Sequence, residues 1–257
     1  MTAILALTDV TKRFGGLRAV GGVSMSVETG SITSLIGPNG AGKTTLFNLV
    51  SAVLKPTSGS ILFDGREVSR LPTYALARLG MARTFQNLAV FKHETVTDNL
   101  LVGLHTHLRA DPISAVLFYG RARREEIAAR ERVEEIIEFL EIEDLRDKPV
   151  GTLSYGLQKR VELGRALAVR PKLLLLDEMV SGMNQEERED IARFILDLRD
   201  ELGVTVLMVE HDMGIVMDIS DRVHVMNHGE NIAEGAPSDI SGDPRVVEAY
   251  LGTRRAA

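Results

Sequence analysis

Short apolar segments alternate with amphipathic segments along much of this chain, a pattern that favours an α/β fold. Ile32–Ile36, Leu173–Leu176 and Val204–Val209 are predominantly apolar, as expected of strands that are buried on both faces. Glu187–Leu202 instead carries its apolar residues at helical spacing and predicts an amphipathic helix. The last third also predicts a short strand over Arg222–Met226 and a closing helix over Pro244–Leu251.

The first third of the chain is dominated by alternating apolar and polar positions, which predict further strands. These strands are marked by Leu5, Leu7 and Val10, by Val23, Met25 and Val27, and by the segments Ile61–Phe63 and Met81–Phe85. Two segments here predict helices instead, Thr44–Leu54 and Pro72–Leu79, and Gly80 closes the second.

The middle of the chain has helical periodicity and no strand pattern from Val96 to Leu145. Arg121–Leu140 is dense in Arg and Glu but keeps one apolar stripe, so its charges are expected to form a solvated face rather than a nucleic-acid or lipid contact. We therefore expect one domain over 1–257 with an inserted lobe. Its expected parts are a β-rich part with the glycine-rich loop at 1–86, a helical lobe at 87–165, and a second α/β part at 166–257.

A glycine-rich loop follows the predicted strand Ile32–Ile36 and precedes a predicted helix. Glycines let the backbone wrap around a polyphosphate, and the N–H groups at the helix start point towards its oxygens. Lys43 would neutralise the β- and γ-phosphates, and the Thr44 hydroxyl would bind Mg²⁺. The candidate nucleotide-binding residues are Gly37, Pro38, Asn39, Gly40, Ala41, Gly42, Lys43, Thr44 and Thr45. An ordinary turn is the alternative, but strand, loop, Lys-Thr pair and helix in register favour a nucleoside-triphosphate site.

Two adjacent acids, Asp177 and Glu178, follow four leucines at the end of a predicted buried strand. Ligands of open parallel sheets bind at the carboxyl ends of the strands. Asp177 is therefore a candidate for holding hydrated Mg²⁺, and Glu178 for orienting the attacking water. Capping of a helix or simple exposure to solvent is the alternative for both.

Composition and charge narrow the function classes. The net charge is -6, which does not favour a large nucleic-acid footprint, and the absence of cysteine excludes disulfides and thiolate metal sites. The N-terminus has no basic segment and is not expected to be a signal peptide. No apolar run approaches the length of a membrane-spanning helix, so membrane association is expected through a partner.

The segment Leu153–Arg160, just before the paired acids, resembles the signature motif of ATP-binding-cassette (ABC) ATPases. Other motifs of that family occur in its order: Phe14 matches the adenine-stacking aromatic residue, Gln86 the Q-loop glutamine, 181–184 the D-loop and His211 the switch histidine. Taken singly, Phe14 could be a surface aromatic, Gln86 a strand cap and His211 a core histidine. The resemblance implies a phosphate-loop ATPase core with an N-terminal antiparallel β subdomain and a helical lobe that carries the signature.

The resemblance also implies how such a site works. Ser154 and Gly156 of one cassette would bind the γ-phosphate held by another, so that two cassettes enclose two ATP molecules, and hydrolysis then releases the cassettes from each other. His211 would contact the γ-phosphate. Gln86 would join the Mg²⁺ site and link the nucleotide to the helical lobe.

Four residues depart from the pattern of the family. Met179 stands where Pro is usual, Met183 where Leu is usual, Leu157 where Gln is usual, and Tyr155 where the first signature Gly is usual. None of these changes removes a charge, a metal ligand or a γ-phosphate donor. Hydrolysis is therefore expected to survive, while the coupling rate and the D-loop geometry are open.

Four short segments further resemble the longer ATPase subunit of importers for branched-chain, hydrophobic amino acids. These segments are 14–20, 82–87, 153–156 and 244–252. The implied partners are a second ATPase cassette, identical or related, permease subunits that dock near 87–101, and indirectly an extracytoplasmic substrate-binding protein. The expected location is the cytoplasmic face of the inner membrane. The open alternatives are importers of urea, amides or aromatic acids, a non-transport ABC ATPase, a GTPase or kinase, and an inactive cassette.

Overall fold

The computed structural model describes residues 2–84, 88–104 and 121–254. These residues divide into two compact units, Met1–Arg83 with Lys172–Ala257, and Thr84–Pro171. The helical lobe expected at 87–165 falls inside the second unit.

The first unit contains an antiparallel sheet with the strand order β2-β1-β4-β5. Its strands are β1 (Ala3–Phe14), β2 (Leu17–Glu28), β4 (Ser58–Phe63) and β5 (Arg66–Glu67). The large apolar positions of β1 and β2 are buried, except Phe14 and Leu17 at the turn between them, and the intervening positions are mostly partly or fully exposed, which is why these segments alternate. The strands predicted here are confirmed.

A second sheet in the same unit has the order β10-β9-β3-β8-β7-β6. Its strands are β3 (Ile32–Ile36), β6 (Met81–Arg83), β7 (Leu173–Asp177), β8 (Thr205–Val209), β9 (Arg222–Asn227) and β10 (Glu230–Gly235). All neighbours are parallel except β9 and β10. Because β3, β8 and β7 are adjacent and parallel, the segments that follow them emerge at one edge of the sheet.

The predicted apolar strands of this sheet are confirmed, since every residue of β3, β7 and β8 is buried. Met81–Phe85 forms β6 only to Arg83, and its predicted last residue, Phe85, lies outside the described residues. Apolar side chains of β1, β2, β3, β7, β8 and helix α1 (Lys43–Val50) form one core between the two sheets.

Helix α1 is shorter than the predicted Thr44–Leu54, so its predicted C-terminal end is wrong. The helix ends because Ala52 takes a left-handed conformation, with φ of 56°, and the Leu54 N–H turns back to Asn48 O at 2.9 Å. The other helices of this unit are α2 (Thr73–Leu79), α6 (Gln185–Asp200), α7 (Met213–Ile219), α8 (Pro237–Ser241) and α9 (Pro244–Arg254).

Helix α6 confirms the amphipathic helix predicted at Glu187–Leu202 and begins two residues earlier. Asn184 caps it: its side chain accepts the Glu187 N–H, and the Glu187 carboxylate accepts the Asn184 N–H. The apolar face predicted for this helix is buried: Ile191, Phe194, Ile195 and Leu198.

The second unit is helical in its described residues, as predicted. It contains α3 (Val96–Gly103), α4 (Arg121–Phe139), α5 (Tyr155–Ala168) and 3₁₀ turns at Glu143–Leu145 and Val150–Thr152. The predicted apolar stripe, Val133, Ile136, Ile137 and Leu140, is buried. Gly164 of α5 lets these helices approach, since a Cβ there would lie 2.6 Å from Leu100 Cδ2 and 2.9 Å from Leu140 Cδ1. None of the helices in the described ranges is both long enough and apolar enough to cross a membrane.

Candidate functional site

The glycine-rich loop links buried β3 to α1, as its sequence predicts. Gly37 has φ of 148°, and a Cβ added to it would lie 2.1 Å from Met226 O. Gly42 has φ of 99°, and a Cβ there would lie 2.5 Å from Ala19 O. Only glycine fits both positions, because side chains disfavour these backbone angles and neighbouring carbonyls fill the space. The loop is therefore held close to β2 and β9, with the start of α1 open to a ligand.

Lys43, the first residue of α1, lies back over its own loop. It is buried, and its Nζ donates hydrogen bonds to Gly37 O at 2.6 Å and Pro38 O at 3.1 Å. Burial lowers the pKa of this ammonium, and the nearby Glu178 carboxylate partly opposes that shift. A preorganised cation therefore stands in the loop, stabilised by carbonyl groups that an anionic ligand could replace.

Asp177, the last residue of β7, is buried and ion-paired. Its Oδ2 accepts a hydrogen bond from Arg83 Nη2 at 2.7 Å. The other guanidinium nitrogen, Nη1, donates to Asn48 Oδ1 and to Ser51 Oγ, each at 2.7 Å. Arg83 thus ties the end of β7 to α1. This role of Arg83 is not apparent from the sequence, because Arg83 and its partners are far apart along the chain.

Glu178 and His211 are brought together, although they lie in separate loops. The Glu178 N–H donates to Val209 O at 2.9 Å, and Glu178 Oε1 lies 2.8 Å from His211 Nε2. Glu178 has φ of 49°, a left-handed conformation that costs a non-glycine residue about 1–2 kcal/mol. Surrounding structure holds this strain, which is a feature of functional positions.

Glu210, the residue before His211, directly follows β8 and is buried, and no pattern in the sequence marks it as a functional residue. Its Oε1 accepts the Val180 N–H at 3.1 Å, and its carboxyl group also accepts the N–H groups of Met179 and His211. Burial raises the pKa of Glu210 to about 7, with a smaller contribution from the nearby Glu178, while the three N–H groups oppose the shift.

This raised pKa predicts a pH-dependent stability. Between pH 4.5 and about 7 the folded protein keeps a proton on Glu210 that the unfolded chain releases. The contribution of Glu210 to the unfolding free energy is therefore full below pH 4.5, the pKa of Glu in the unfolded chain, and is lost as the pH rises through about 7. Relative to Glu210→Gln, the wild type should lose roughly 3 kcal/mol of unfolding free energy across this window. Urea unfolding at pH 4.5 to 8 measures it, with Glu186→Gln as the exposed control, and parallel curves for wild type and Glu210→Gln would contradict the assignment.

A cleft of about 470 Å³ lies over the loop, and most of the predicted loop residues line it. Glu178 and His211 also line it, as do residues that the sequence analysis did not assign. The lining residues are Leu17, Arg18, Ala19, Asn39, Gly40, Ala41, Gly42, Lys43, Thr44, Thr45, Glu178, His211, His228 and Gly229. Arg18 is held by an ion pair between its Nη2 and Glu230 Oε1 at 2.5 Å.

Phe14 does not line this cleft in the described structure. Its half-exposed ring is at the end of β1, where it pairs with Leu17 of β2, and Lys12 Nζ lies 5.1 Å from the ring centroid. Tyr250 of α9 is a further neighbour of the loop. Burial raises the pKa of its phenol, whose oxygen accepts the Gly37 N–H.

The signature residues belong to the second unit. Ser154 caps helix α5, and its Oγ accepts the Leu157 N–H at 3.3 Å. Gly156 is buried in the first turn of that helix, and Tyr155 beside it is partly exposed. Gln86 lies outside the described residues.

The donor set fits a divalent cation that takes most of its ligands from phosphate and water. Thr44 offers a hydroxyl in the cleft and Asp177 a carboxylate, which are oxygen donors suited to Mg²⁺. In the described part of the chain, no three His, Cys, Asp or Glu side chains cluster in a way that could hold a metal. These residues suit Mg²⁺ bound with a nucleotide better than a metal enclosed by protein ligands.

Phosphate-loop nucleoside triphosphatases combine such a loop, its lysine and carboxylates at a neighbouring strand end, and this site places the chain in that class. Residues 20–181 match the ABC transporter family, and residues 230–256 match the branched-chain amino acid ATP-binding cassette transporter family. The chain is 44% identical to the high-affinity branched-chain amino acid transport ATP-binding protein BraF of Pseudomonas aeruginosa, over 97% of this chain and 98% of that protein. The chain therefore belongs to the ABC transporter ATPases, within the branched-chain amino acid transport family.

Solved structures agree with this assignment. The ADP conformation of an ATP-binding cassette of an ABC transporter superposes with a TM-score of 0.86 at 36% identity, covering 98% of this chain and all of that one. A dimeric, post-hydrolysis ATP-binding cassette bound to ADP and phosphate gives a TM-score of 0.76 at 25% identity, covering 91% and 98%. The resemblance drawn from the motifs is confirmed, as are the ABC ATPase fold and the ATP-hydrolysing class that it implies.

Proposed function

We propose that this chain hydrolyses ATP to energise import of branched-chain amino acids. The observation that carries the proposal is the single cleft in which Lys43, Glu178 and His211 lie around the phosphate loop. The family membership supports the transport role, and the amino-acid class follows the relatives to which the chain is similar.

Binding begins with the phosphates. The Lys43 ammonium exchanges a loop carbonyl for the β- and γ-phosphates, and the N–H groups at the start of α1, which have no partner within the helix, bind their oxygens. Mg²⁺, when bound, would be held by Thr44, Asp177 and Gln86 and would neutralise phosphate charge. Arg83 keeps Asp177 in place at the strand end.

Hydrolysis then needs an oriented water. A carboxylate oxygen of Glu178 accepts a hydrogen bond from that water and draws its proton away as the oxygen attacks the γ-phosphorus. His211, 2.8 Å from Glu178, orients this carboxylate and contacts the γ-phosphate. The bond between the γ-phosphorus and the oxygen that bridges it to the β-phosphate breaks, so ADP leaves, and the proton taken up by Glu178 leaves with the phosphate.

The adenine would lie against the side of the cleft formed by the β1–β2 hairpin. Leu17 and Arg18 of β2 line the cleft, and Phe14 is next to Leu17 across the β1–β2 pairing. We propose that Phe14 stacks on the adenine from this side, with the alkyl part of Leu17 adding apolar contact.

A second cassette completes each site. Ser154 would donate its hydroxyl to the γ-phosphate held by the partner, and Gly156, in the first turn of α5, would donate its N–H group. The positive end of the α5 dipole favours the same anion. The dimeric form of a similar cassette supports this arrangement, and the second cassette is either a copy of this chain or a related one.

Permease subunits would dock on the second unit. A cleft there of about 500 Å³ is partly lined by Phe91, Leu101 and Val102, and the first and third of these side chains are exposed. Acidic Glu94 and Asp98 lie in the same cleft. We propose that a permease loop helix binds at 87–101. This contact would hold the chain at the cytoplasmic face of the inner membrane, with the extracytoplasmic binding protein on the opposite side of that membrane. Nucleic acid is not a partner in this proposal.

Purification of the chain from membranes tests this proposal. We expect permease subunits and a second cassette to co-purify, and the assembly in vesicles to take up leucine when ATP is supplied. Uptake of urea but not leucine would contradict the substrate class. Recovery of ribosomes or DNA instead would contradict the transport role.

A further inference from the structure

We propose that Glu210 is a positioning residue that fixes Glu178 and His211 relative to one another through backbone hydrogen bonds. The inference rests on the proposed function, because it concerns the geometry of the same catalytic pair. Glu210 itself lies beneath the cleft rather than in it: the residues that line the cleft do not include it.

The hydrogen bonds of Glu210 connect two loops. One carboxyl group accepts N–H groups from two separate loops: Met179 and Val180 after β7, and His211 after β8. Met179 and Val180 directly follow Glu178, and His211 directly follows Glu210. A single side chain therefore connects the backbone on the far side of Glu178 to the backbone of His211.

A second connection runs between the same loops. The Glu178 N–H donates to Val209 O at 2.9 Å, which continues the pairing of Asp177 with Val209 beyond the end of β7. The Glu178 backbone is thus held on both sides, by Val209 before it turns and by Glu210 after it. This explains how a left-handed φ of 49° is maintained at Glu178 without a glycine.

The chemistry of the residue suits this task. A carboxyl group has two oxygens that accept several N–H groups, whereas an amide of the same shape has one acceptor oxygen and presents donors to donors. In the described part of the chain, no Lys or Arg pairs with Glu210, so backbone N–H groups are its partners. Burying a carboxyl group costs desolvation free energy, and the hydrogen bonds from the backbone N–H groups offset part of that cost. The same hydrogen bonds fix the positions of the two loops.

The D-loop, 181–184, directly follows the residues whose N–H groups Glu210 accepts. Val180 O accepts the Met183 N–H at 3.3 Å, and Glu178 O accepts the Ser181 N–H at 3.3 Å, so the loop turns directly over the residues that Glu210 holds. Loss of the Glu210 contacts should therefore displace Glu178, His211 and the D-loop together, while leaving the phosphate loop after β3 in place.

The test is Glu210→Gln in the full chain. We expect kcat for ATP hydrolysis to fall about 10- to 100-fold, while the dissociation constant for a fluorescent ATP analogue changes less than about threefold. The imidazole NMR signal of His211, assigned by its loss in His211→Ala, should shift. Glu234→Gln, a half-exposed carboxylate on β10, is the control and should change none of these quantities.

Glu210→Asp keeps the carboxyl group but shortens the reach, and should lower kcat in the same way even if the Gln variant does not fold. Wild-type kcat and an unmoved His211 signal in the folded variants would overturn the inference. Equal losses of kcat and nucleotide affinity would also overturn it, since they would indicate a general structural role. Failure of the proposed function is distinguishable, because it would appear as full activity in Glu178→Gln whatever Glu210 does.

Discussion

Replacing Glu178 with Gln should lower kcat for ATP hydrolysis by at least about 100-fold, within the range expected for a lost general base. The amide keeps the size of the side chain and can still form a hydrogen bond with His211 Nε2, which lies 2.8 Å from the Glu178 carboxylate in the wild type. It cannot take a proton from water. The change therefore removes chemistry while leaving the cleft intact.

Nucleotide binding should survive the same substitution, because Lys43 and the loop glycines are untouched. Since release of the two cassettes follows hydrolysis in the proposed cycle, ATP should then accumulate a closed dimer, measured by light scattering with and without ATP. Glu186→Gln, an exposed carboxylate eight residues further along, is the matched control and should hydrolyse ATP normally. Wild-type turnover in Glu178→Gln would contradict the assigned role.

Most of the core strands were predictable because burial on both faces leaves an unmistakable local pattern. The segments β3, β7 and β8 are buried throughout and their sequences are correspondingly apolar. Strand β10 was missed, since Glu230 and Glu234 are exposed and Asn231 is only half buried, so its pattern is weak. Its position depends on pairing with β9, which is a nonlocal interaction.

The bounds of helix α5 were not predicted for a different reason, although the helical lobe expected at 87–165 includes most of it. Lys159 and Glu162 lie on its buried side, joined by an ion pair of 3.1 Å between Nζ and Oε2. Charged residues in the core interrupt the apolar periodicity by which a helix is detected. Sequence similarity located the signature motif there, but the pattern of apolar residues alone did not show the helix.

Some residues of the site could likewise be predicted from the sequence and others could not. The loop and the two acids at the end of β7 were found because their residue types lie together in the sequence and each suits a phosphate or a metal. Arg83 and Glu210 were not, since their partners are distant: Arg83 pairs with Asp177, and Glu210 binds Val180. Only the strand order, with β7 between β6 and β8, brings these residues together.

Replacing Lys43 with Ala should weaken ATP binding by about 10- to 100-fold, the effect expected when a charge-assisted contact to a buried anion is lost. The wild-type ammonium is buried and held by Gly37 O and Pro38 O, so it is already positioned before phosphate arrives. Ala removes the cation and leaves these carbonyl groups pointing into the cleft, where they repel phosphate oxygens. Titration with a fluorescent ATP analogue measures the loss.

The fold should tolerate this change, because burial already disfavours the Lys43 ammonium and its removal ends that penalty. Urea unfolding should therefore give a free energy within about 1 kcal/mol of wild type, typical of substitutions that leave no unpaired buried charge. Lys172→Ala, at an exposed lysine paired with Asp64, controls for loss of positive charge and should bind ATP as wild type does. Undiminished affinity in Lys43→Ala would show that the backbone N–H groups alone hold the phosphates, and the Lys43 assignment would then be wrong.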